Sequence, residues 1–319
     1  MFLTVTPNPS FDKTLHVDSF ERGGVERVSE FTLEAGGKGI NVARALALAG
    51  SEAAAIMPAS LASATEFAGA LGSIDGLDLV AIDSGAPIRT NITIAEADGS
   101  TTKFNESGVV LDDTTTEQLI EETVKRAVDQ GWVAVCGSHP PGFDPMFLHR
   151  LRSRLPDAAL LGVDASGAAL KAAVEAGVDL IKPNREELEA LLETSLPTLG
   201  DVIEAAGSVR ERGVASVLVS LGADGAVLVD ATGATFGRTE GAVVANTVGA
   251  GDAFFAGFLS AGATGQTGLR EALAWGHAAV GSPTTAFPPA TDANRAAVTL
   301  SDQPDPSVRF VEAGWRGNG

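Results

Sequence analysis

The sequence of residues 178–219 is VDLIKPNREELEALLETSLPTLGDVIEAAGSVRERGVASVLV. Short apolar runs rich in β-branched residues, at 178–181 and 216–219, enclose two segments of helical composition, at 185–192 and 201–212. Strands that alternate with helices along a chain form a parallel sheet whose two faces are covered by helices. This stretch therefore predicts an α/β fold with a mostly parallel sheet.

The same alternation extends toward the N-terminus. Further short strands are predicted at 2–6, 133–136 and 159–163. Helices are predicted at 41–49, where Gly50 supplies a C-terminal stop signal, and at 116–129. The α/β pattern thus covers most of the chain.

Two regions interrupt this alternation, because their apolar residues recur nearer to every second position and little helix intervenes. The predicted strands are 13–17 and 27–33, around a turn at 21–24, and 88–95 and 101–105, around Asp98-Gly99. We interpret the two regions as insertions that form one small β-sheet. A sheet with one apolar face must cover something, and a substrate, a second subunit, or both would serve.

The composition limits the possible partners. The chain has 319 residues, of which 45% are hydrophobic, so it can bury a large core. Its 41 acidic and 22 basic residues give a formal net charge of −19, which argues against a nucleic-acid-binding protein. A small anionic ligand remains compatible, because a local cluster of cations and backbone N–H groups can bind it.

Other composition features exclude further classes of protein. Cys136 is the single cysteine, which rules out an internal disulfide framework and a multi-cysteine zinc site. Four histidines disfavour a histidine-rich metal centre. We find neither a basic leader with a long apolar segment nor the roughly 18 uninterrupted apolar residues of a membrane span. We therefore expect a cytoplasmic protein with no membrane partner.

A first glycine-rich cluster, EAGGKGINVA at 34–43, leads into a predicted helix. Glycine backbone can approach a ligand closely, and the N–H groups at a helix N-terminus favour anions. The cluster is not a Walker A loop, because glycine rather than serine or threonine follows Lys38. A strand-to-helix turn with a solvated lysine is the alternative interpretation.

Two more glycine-bearing clusters directly follow predicted strands. GSHPPG at 137–142 lies where open α/β sheets bind ligands, although a rigid turn is favoured there. We interpret His139 in this cluster as a structural or substrate-adjacent residue. SLGADG at 220–225 is either a hairpin turn or a loop that contacts a nucleotide.

A fourth cluster, NTVGAGDAFFAGF at 246–258, places small residues before a long apolar helix that starts near Asp252. Such a helix start presents N–H donors that can hold a γ-phosphate. A carboxylate there can accept a proton from a hydroxyl group. The alternative is that Asp252 only balances the helix dipole, but this leaves the small residues unexplained.

A polar cluster, KPNREE at 182–187, allows two interpretations. Asn184 and Glu187 have the spacing of an N-cap residue and its partner three positions later, as in a capping box. The same pair could instead position Mg²⁺ or its waters, since magnesium needs few protein ligands.

Four motifs occur in order along the chain: TPNPSFD at 6–12, GGKGIN at 36–41, KPNxxE at 182–187 and GAGD at 249–252. Together they resemble the ribokinase-like (PfkB) family of sugar kinases over nearly the whole length. The NPxxD segment at 8–12, Arg89-x-Asn91 and FNxSG at 104–108 are similar to the branch that acts on phosphorylated hexoses.

This resemblance implies a doubly wound α/β body, comprising 1–9, 34–84 and 108–319, and a β-sheet lid, comprising 10–33 and 85–107. It implies phosphoryl transfer from ATP to a hexose phosphate, foremost fructose 1-phosphate, giving fructose 1,6-bisphosphate. Tagatose 6-phosphate and fructose 6-phosphate are the alternative substrates. A nucleoside kinase is disfavoured by Arg89. A non-catalytic sugar-phosphate sensor is disfavoured by the intact Asp252, since a sensor needs no base.

The resemblance also implies roles for individual residues. Asp252 is the expected base, and the transferring phosphoryl group is expected to be held by Gly249, Ala250 and Gly251. The residues expected to bind the nucleotide are Lys182, Asn184, Ser220, Gly222, Gly225 and Gly251, with Glu187 holding Mg²⁺ through water. The residues expected to bind the sugar phosphate are Asp12, Gly36, Gly37, Lys38, Asn41, Arg89 and Asn91. Arg89 would contact the phosphate, with Lys38 or Lys103.

Two departures from the family pattern concern possible substrate contacts. His139 stands where the family usually has an aliphatic residue, and segment 55–61 lacks the glycines common there. The exposed edge of the lid sheet predicts a homodimer formed through the lid, because open β edges invite pairing.

Overall fold

A computed structural model of the chain describes residues 1–128, 131–241, 247–282 and 287–310. The strands are β1 (Phe2–Val5), β2 (Ser10–Val17), β3 (Glu30–Gly36), β4 (Ala53–Ala59), β5 (Leu77–Asp83), β6 (Arg89–Glu96), β7 (Thr101–Asn105), β8 (Trp132–Cys136), β9 (Leu160–Asp164), β10 (Leu180–Ile181), β11 (Ser216–Ser220), β12 (Ala226–Asp230), β13 (Gly233–Thr239) and β14 (Val298–Ser301). The helices are α1 (Lys38–Leu48), α2 (Leu61–Leu71), α3 (Asp113–Arg126), α4 (Phe147–Arg152), α5 (Gly167–Glu175), α6 (Arg185–Leu192), α7 (Leu199–Glu211), α8 (Ala250–Ser260), α9 (Gly265–Val280) and α10 (Asp292–Ala296).

The large sheet has the strand order β14-β13-β12-β11-β10-β9-β8-β1-β4-β5. The seven strands from β11 to β5 in this order are parallel, and β12, β13 and β14 extend the sheet in antiparallel fashion. The chain runs outward from β1 to β5 in one direction and from β8 to β11 in the other. The order therefore reverses beside β1, and ligands of open α/β sheets bind beyond the strand ends at such a switch point.

Both faces of this sheet are covered by helices. Strand β4 shows why, since alternate residues enter two separate cores: Ile56 lies in one core, and Ala55 and Met57 lie in the other. Residues of α3 to α7 line the first core, and those of α1, α2, α8 and α9 line the second. The predicted doubly wound, mostly parallel α/β fold is confirmed.

The predicted small sheet is also present, with the strand order β3-β2-β6-β7. Strands β2 and β6 are parallel, and the outer pairs are antiparallel. The register pairs Asp12 with Asn91, so these two side chains lie on the same face of the sheet. Phe11 lies on the other face and packs edge-on against Phe67 of α2, with the ring centroids 5.5 Å apart.

The element boundaries differ from the prediction at several ends. Helix α1 begins at Lys38 rather than 41, and α3 begins at Asp113 because Asp112 caps it by accepting a hydrogen bond from the Thr115 N–H. The predicted end of that helix, residue 129, lies outside the described residues. In the described part of the chain, no helix has both the length and the apolar character needed to cross a membrane.

Candidate active site

Asp252 lies in the first turn of α8. Gly249 caps this helix with a φ of 77°, a left-handed conformation that glycine adopts without strain. The Asp252 side chain is buried, and the Asn41 amide of α1 donates to its Oδ2 at 2.8 Å. Burial and the charge of Asp164 raise its pKa from 3.8 to about 6. A carboxylate of this pKa is suited to accepting a proton near neutral pH.

Asp164, at the end of β9, is fully buried and neutralised by two lysines from different elements. Its Oδ1 pairs with Lys38 Nζ at 2.8 Å, and its Oδ2 lies 3.3 Å from Lys182 Nζ. The charge of Asp164 raises the pKa of Lys38, and Asp252 and Glu187 add to this effect. The two ammonium groups lower the Asp164 pKa against the effect of burial. Lys38 is thus ion-paired to a buried carboxylate, although its own side chain stays 38% exposed.

The N-terminus of α8 meets this charged cluster. A Cβ added to Gly251 would lie 3.8 Å from Lys182 Nζ, so the ammonium closely approaches the helix start. One of the predicted N–H donors is used within the turn, since Ala250 N–H donates to Thr247 O at 3.3 Å. The Asp252 N–H likewise donates to Gly249 O at 3.0 Å. Asn246 of the same motif lies outside the described residues. A helix N-terminus beside a lysine is an arrangement that can hold a phosphate.

A second cluster of polar side chains lies on the polar face of the small sheet. Asp12 Oδ1 accepts hydrogen bonds from Ser10 Oγ and Asn91 Nδ2, both at 2.9 Å. A Cβ on Gly36 would lie 2.1 Å from Asp12 Oδ2, so only glycine leaves room for this carboxylate. Burial raises the pKa of Asp12, against the hydrogen bonds and the charge of Arg89. Arg89, half-buried on the same face, donates to the Glu106 carbonyl at 2.7 Å.

The glycines at positions 36, 37 and 39 also determine the packing at the start of α1. Gly37 has a φ of 117°, and a Cβ there would lie 2.9 Å from Thr6 Cγ2. A Cβ on Gly39 would lie 2.4 Å from Thr6 Oγ1. The segment after β1 and the start of α1 therefore approach each other with no space for side chains.

The polar cluster at 182–187 forms a capping box. Asn184 Oδ1 accepts from Glu187 N–H at 2.7 Å, and Glu187 Oε2 accepts from Asn184 N–H at 2.9 Å. Capping and ligand binding remain compatible here, because a carboxylate has a second oxygen. In the residues that the structure describes, three or more His, Cys, Asp or Glu side chains do not come together to hold a metal ion. Glu187 would therefore serve a magnesium ion as a single carboxylate.

The loop at 220–225 lies next to this box. Ser220 N–H donates to the Pro183 carbonyl at 3.0 Å, and Asn184 and Ser220 form a parallel bridge. The loop also links the antiparallel strands β11 and β12, so it forms the hairpin turn that was one of its two interpretations, and a contact with a nucleotide stays a prediction. Gly222 is exposed with a φ of 60°, whereas a Cβ on Gly225 would lie 2.2 Å from the Gly237 carbonyl. Gly222 is the more accessible of the two glycines to a ligand.

His139 lies on the first core rather than among the charged groups. Its ring is 4.5 Å from that of Phe143 between centroids, and its Nε2 is buried without a hydrogen-bond partner. Burial lowers its pKa from 6.5 to about 4, so the ring is neutral at physiological pH. The neighbouring Ser138 makes a polar contact, since Asn8 Nδ2 donates to its Oγ at 3.2 Å.

Sequence reasoning missed two residues that the structure places in the site. Asp164 immediately follows a predicted strand that ends at 163, and the carboxyl ends of parallel strands are where ligands bind, so this position gave a usable signal. Arg44 lies inside α1, where its side chain is buried and its Nη2 donates to Asn41 Oδ1 at 2.8 Å. Nothing in the local sequence distinguishes Arg44 from a surface arginine.

Known proteins share both the sequence and the fold. The pfkB family carbohydrate kinase model matches residues 6–284. The chain is 35% identical over 271 residues to 1-phosphofructokinase from Escherichia coli strain K12, covering 80% of this chain and 82% of that protein. The solved structure of the tetrameric inhibited form of phosphofructokinase-2 from Escherichia coli is 30% identical, with a TM-score of 0.82 over 93% of this chain and 97% of that one.

The fold likeness extends to a more distant sugar kinase. Arabidopsis thaliana ribokinase, solved with ribose and ATP, matches with a TM-score of 0.71 at 20% identity, covering 90% of this chain and 96% of that one. This likeness shows that the fold is ribokinase-like. The family match over residues 6–284 and the 35% identity to 1-phosphofructokinase establish that the chain belongs to the pfkB family of carbohydrate kinases and is an ATP-dependent sugar-phosphate kinase.

Proposed function

We propose that this kinase transfers the γ-phosphoryl group of ATP to fructose 1-phosphate, giving fructose 1,6-bisphosphate, with Asp252 as the base. The observation that carries the proposal is the buried Asp252 carboxylate, which has a pKa of about 6, at the start of α8 beside Lys182. A base there removes the proton from the sugar hydroxyl as that oxygen attacks the γ-phosphorus. The helix start would stabilise the charge on the phosphoryl group, through Gly249, Ala250 and Gly251.

The polar face of the small sheet supports a phosphorylated hexose as the acceptor. Asp12, held by Ser10 and Asn91, offers a carboxylate to sugar hydroxyls, and Asn41 reaches the same region from α1. Arg89 supplies a cation on this face, and a guanidinium binds a phosphate through paired hydrogen bonds. In fructose 1-phosphate the phosphate and the free primary hydroxyl lie at opposite ends of the molecule. The sugar would therefore span from Arg89 to Asp252.

The nucleotide is assigned to the loops after β10 and β11. Lys182 would contact the transferring phosphates, and Asn184, Ser220, Gly222 and Gly225 would line the nucleotide loop. Glu187 would hold Mg²⁺ through water. The Glu187 carboxylate also interacts electrostatically with Lys38 of the charged cluster. Magnesium, when bound, neutralises charge on the phosphate oxygens. Lys38 and Lys182, paired through Asp164, would supply the remaining positive charge.

We further propose that segments 10–33 and 85–107 act as a lid over the body. Closing the small sheet over the sugar would exclude water and so limit ATP hydrolysis. A cytoplasmic location is proposed as well, because ATP and phosphorylated sugars are charged metabolites of that compartment.

A second copy of this chain is the proposed occupant of the other face of the lid sheet. The register places Leu33 and Phe104 in one cross-strand row and Phe31 in the next, all on the face opposite Asp12. These side chains are exposed by 37%, 52% and 59%, an apolar surface of the kind that proteins use for association. The solved structure of a tetrameric relative supports self-association.

The test of the reaction is a coupled assay of ADP formation over fructose 1-phosphate, fructose 6-phosphate, tagatose 6-phosphate and a nucleoside. We expect the highest kcat/KM with fructose 1-phosphate. Asp252→Asn should lower kcat by about 10²- to 10⁴-fold, the range of general-base catalysis, while calorimetry shows ATP binding retained. Preference for another sugar phosphate would reassign the substrate, and no activity with any of them would favour a sensor.

Asp230→Asn is the matched control. Asp230 is also buried, but it ends β12 and accepts from Thr232 N–H at the sheet edge opposite the active site. Its substitution removes a buried carboxylate without reaching the charged cluster, so the kcat should stay near the wild-type value. Equal losses of kcat in the two variants would argue against Asp252 as the base.

A further inference from the structure

A buried chain of hydrogen bonds leads away from Asp252 into α1. Asn41 Nδ2 donates to Asp252 Oδ2 at 2.8 Å, and Arg44 Nη2 donates to Asn41 Oδ1 at 2.8 Å. Asn41 and Arg44 are three residues apart on the helix, which places them on one face. All three side chains are about 6% exposed, so water does not substitute for these contacts.

The orientation of the Asn41 amide decides what Asp252 meets. An amide presents a donor on one side and an acceptor on the other, and the two ends have nearly the same shape. With the nitrogen toward Asp252, the carboxylate is stabilised. With the oxygen toward Asp252, two acceptors would face each other in a buried site. Arg44 has only donors, so its contact with Oδ1 is satisfied in the first orientation alone.

The position of Arg44 also connects it to the lid. Its guanidinium interacts electrostatically with Glu34, Asp252 and Asp12. Glu34 and Asp12 are register partners in β3 and β2, on the polar face of the small sheet. The buried Arg44 of α1 therefore faces Asp252 and two carboxylates of the small sheet at once.

We propose that Arg44 is a positioning residue for phosphoryl transfer: it locks the Asn41 amide so that its nitrogen points at Asp252 and keeps that base ionised. This proposal rests on the assignment of Asp252 as the base. Arg44 acts through Asn41 and contacts neither the nucleotide nor the phosphoryl group in this role.

Other charged and titratable groups also lie around Asp252 or on the helix that packs against α8. Asp252 faces Asp164 from β9, Lys38 from α1, Lys182 after β10 and the Cys136 thiol from β8. Helix α9 packs along α8 through Trp275 and carries Glu271, paired with Arg295, and His277 in its last turn. Arg44 is hydrogen-bonded to the Asn41 amide, so a change at Arg44 should act on the amide orientation.

The experiment measures kcat against pH at saturating substrates for the wild type and Arg44→Met. The wild type should reach half its maximal kcat near pH 6, since the base must be ionised and its pKa is about 6. In Arg44→Met the acidic limb of the kcat–pH profile should move to higher pH by about one unit. A pKa shift of this size is expected when a charge-assisted contact is lost. Near pH 6 the kcat should fall several-fold, and above pH 8 most of it should return. Arg44→Lys, which keeps a charged donor, should move the limb less.

Arg270→Met is the matched control for the loss of a structural arginine. Arg270 donates to the carbonyl of Val298 at 2.9 Å, away from the active site. The Arg270→Met variant should have the same kcat–pH profile as the wild type. A profile of Arg44→Met that parallels the wild type, or a uniform loss at every pH, would overturn the proposal. If Arg44→Met does not fold, Arg44→Gln must show the same upward shift, and an unshifted limb there would overturn it equally.

A second readout does not depend on turnover. In protein with ¹³C-labelled aspartate, the carboxyl signal absent from Asp252→Asn reports the titration of Asp252. Its midpoint should be higher in Arg44→Met than in the wild type, and an equal midpoint would overturn the Arg44 proposal. If the wild type phosphorylates no sugar phosphate, the proposed reaction fails, while this titration still decides the role of Arg44.

Discussion

Asp164 and Asp252 are two buried carboxylates in one site whose surroundings drive their pKa values apart. Asp164 lies between two ammonium groups, which lower its pKa and keep it ionised. Burial and the charge of Asp164 raise the pKa of Asp252 to about 6, against the effect of the hydrogen bond from Asn41. Separation of this kind typically distinguishes a structural charge from a proton acceptor. Asp164 thus holds the lysines, and Asp252 is the proposed proton acceptor.

His139→Leu should raise the free energy of unfolding at pH 7 by about 1 kcal/mol. The substitution removes a buried nitrogen that has no hydrogen-bond partner and keeps an apolar contact with Phe143. The histidine pKa is lowered from 6.5 to about 4 in the folded chain, so the unfolded chain binds the proton first as the pH falls. The wild type therefore loses stability from pH 6.5 toward pH 4, and the variant should lose less.

Urea unfolding at pH 7 and at pH 5 measures this effect. His16→Leu in the lid is the control, because His16 is exposed and its replacement should change neither value by much. A less stable His139→Leu protein at pH 7 would show instead that His139 makes a polar contact on which the fold depends.

At the scale of elements, the junction of β3 and α1 is built around missing side chains. Gly36 admits the Asp12 carboxylate, and Gly37 and Gly39 admit Thr6. The small sheet, the segment after β1 and the start of α1 therefore pack with their backbones close together. Lys38, the first residue of α1, extends from this junction into the charged cluster. This junction connects the proposed sugar site to the proposed base.

Gly36→Ala should raise the KM for the sugar phosphate about tenfold, which corresponds to one lost hydrogen bond of about 1.4 kcal/mol. The added Cβ would lie 2.1 Å from Asp12 Oδ2, so the carboxylate must move away from Ser10 and Asn91. The KM for ATP should stay unchanged, because the nucleotide loops are on other elements. Steady-state kinetics with each substrate varied in turn provides the measurement.

Gly69→Ala is the control for that experiment. Gly69 lies within α2, and nothing stands within 4 Å of where its Cβ would be. Alanine is favoured over glycine inside a helix by up to about 1 kcal/mol, so this variant should be slightly stabilised and kinetically normal. An unchanged KM in Gly36→Ala would remove Asp12 from the proposed sugar site.

For the whole molecule, the lid sheet has two unlike faces. Its polar face carries Asp12 and Asn91, and its apolar face leaves Phe31 and Phe104 exposed. If a second copy covers the apolar face, assembly and the active site share one four-stranded sheet. Oligomerisation would then stabilise the element that contacts the sugar.

Phe31→Lys should convert a dimer into a monomer, because it places a charge at the centre of the proposed contact. Light scattering after size-exclusion chromatography should give twice the mass of one chain for the wild type and one chain mass for the variant. Leu61→Lys, which changes a 72% exposed leucine on the body, should leave the mass unchanged. A monomeric wild type, or a dimeric Phe31→Lys, would rule out dimerisation through this face.

Several features were predictable because their physical cause is local. The strand and helix alternation, a helix starting at the small residues 249–251 and the Asn184–Glu187 box each depend on a few consecutive residues, although α8 begins at Ala250 rather than near Asp252. Turn chemistry likewise indicated the hairpin at Asp98-Gly99, where β6 and β7 pair. The antiparallel strands β13 and β14, at one end of the large sheet, escaped prediction, since neither has a distinctive period.

The sequence by itself thus determined the fold class, the small sheet and the motifs from which the site is built, because periodicity and capping act within a few residues. Only the tertiary structure decided which of those residues meet. Asn41 and Asp252 are 211 positions apart, and Lys38 and Asp164 are 126 apart. Such contacts depend on strand order and helix packing, which bring distant segments to the switch point. The position of Arg44 behind Asn41 has the same origin.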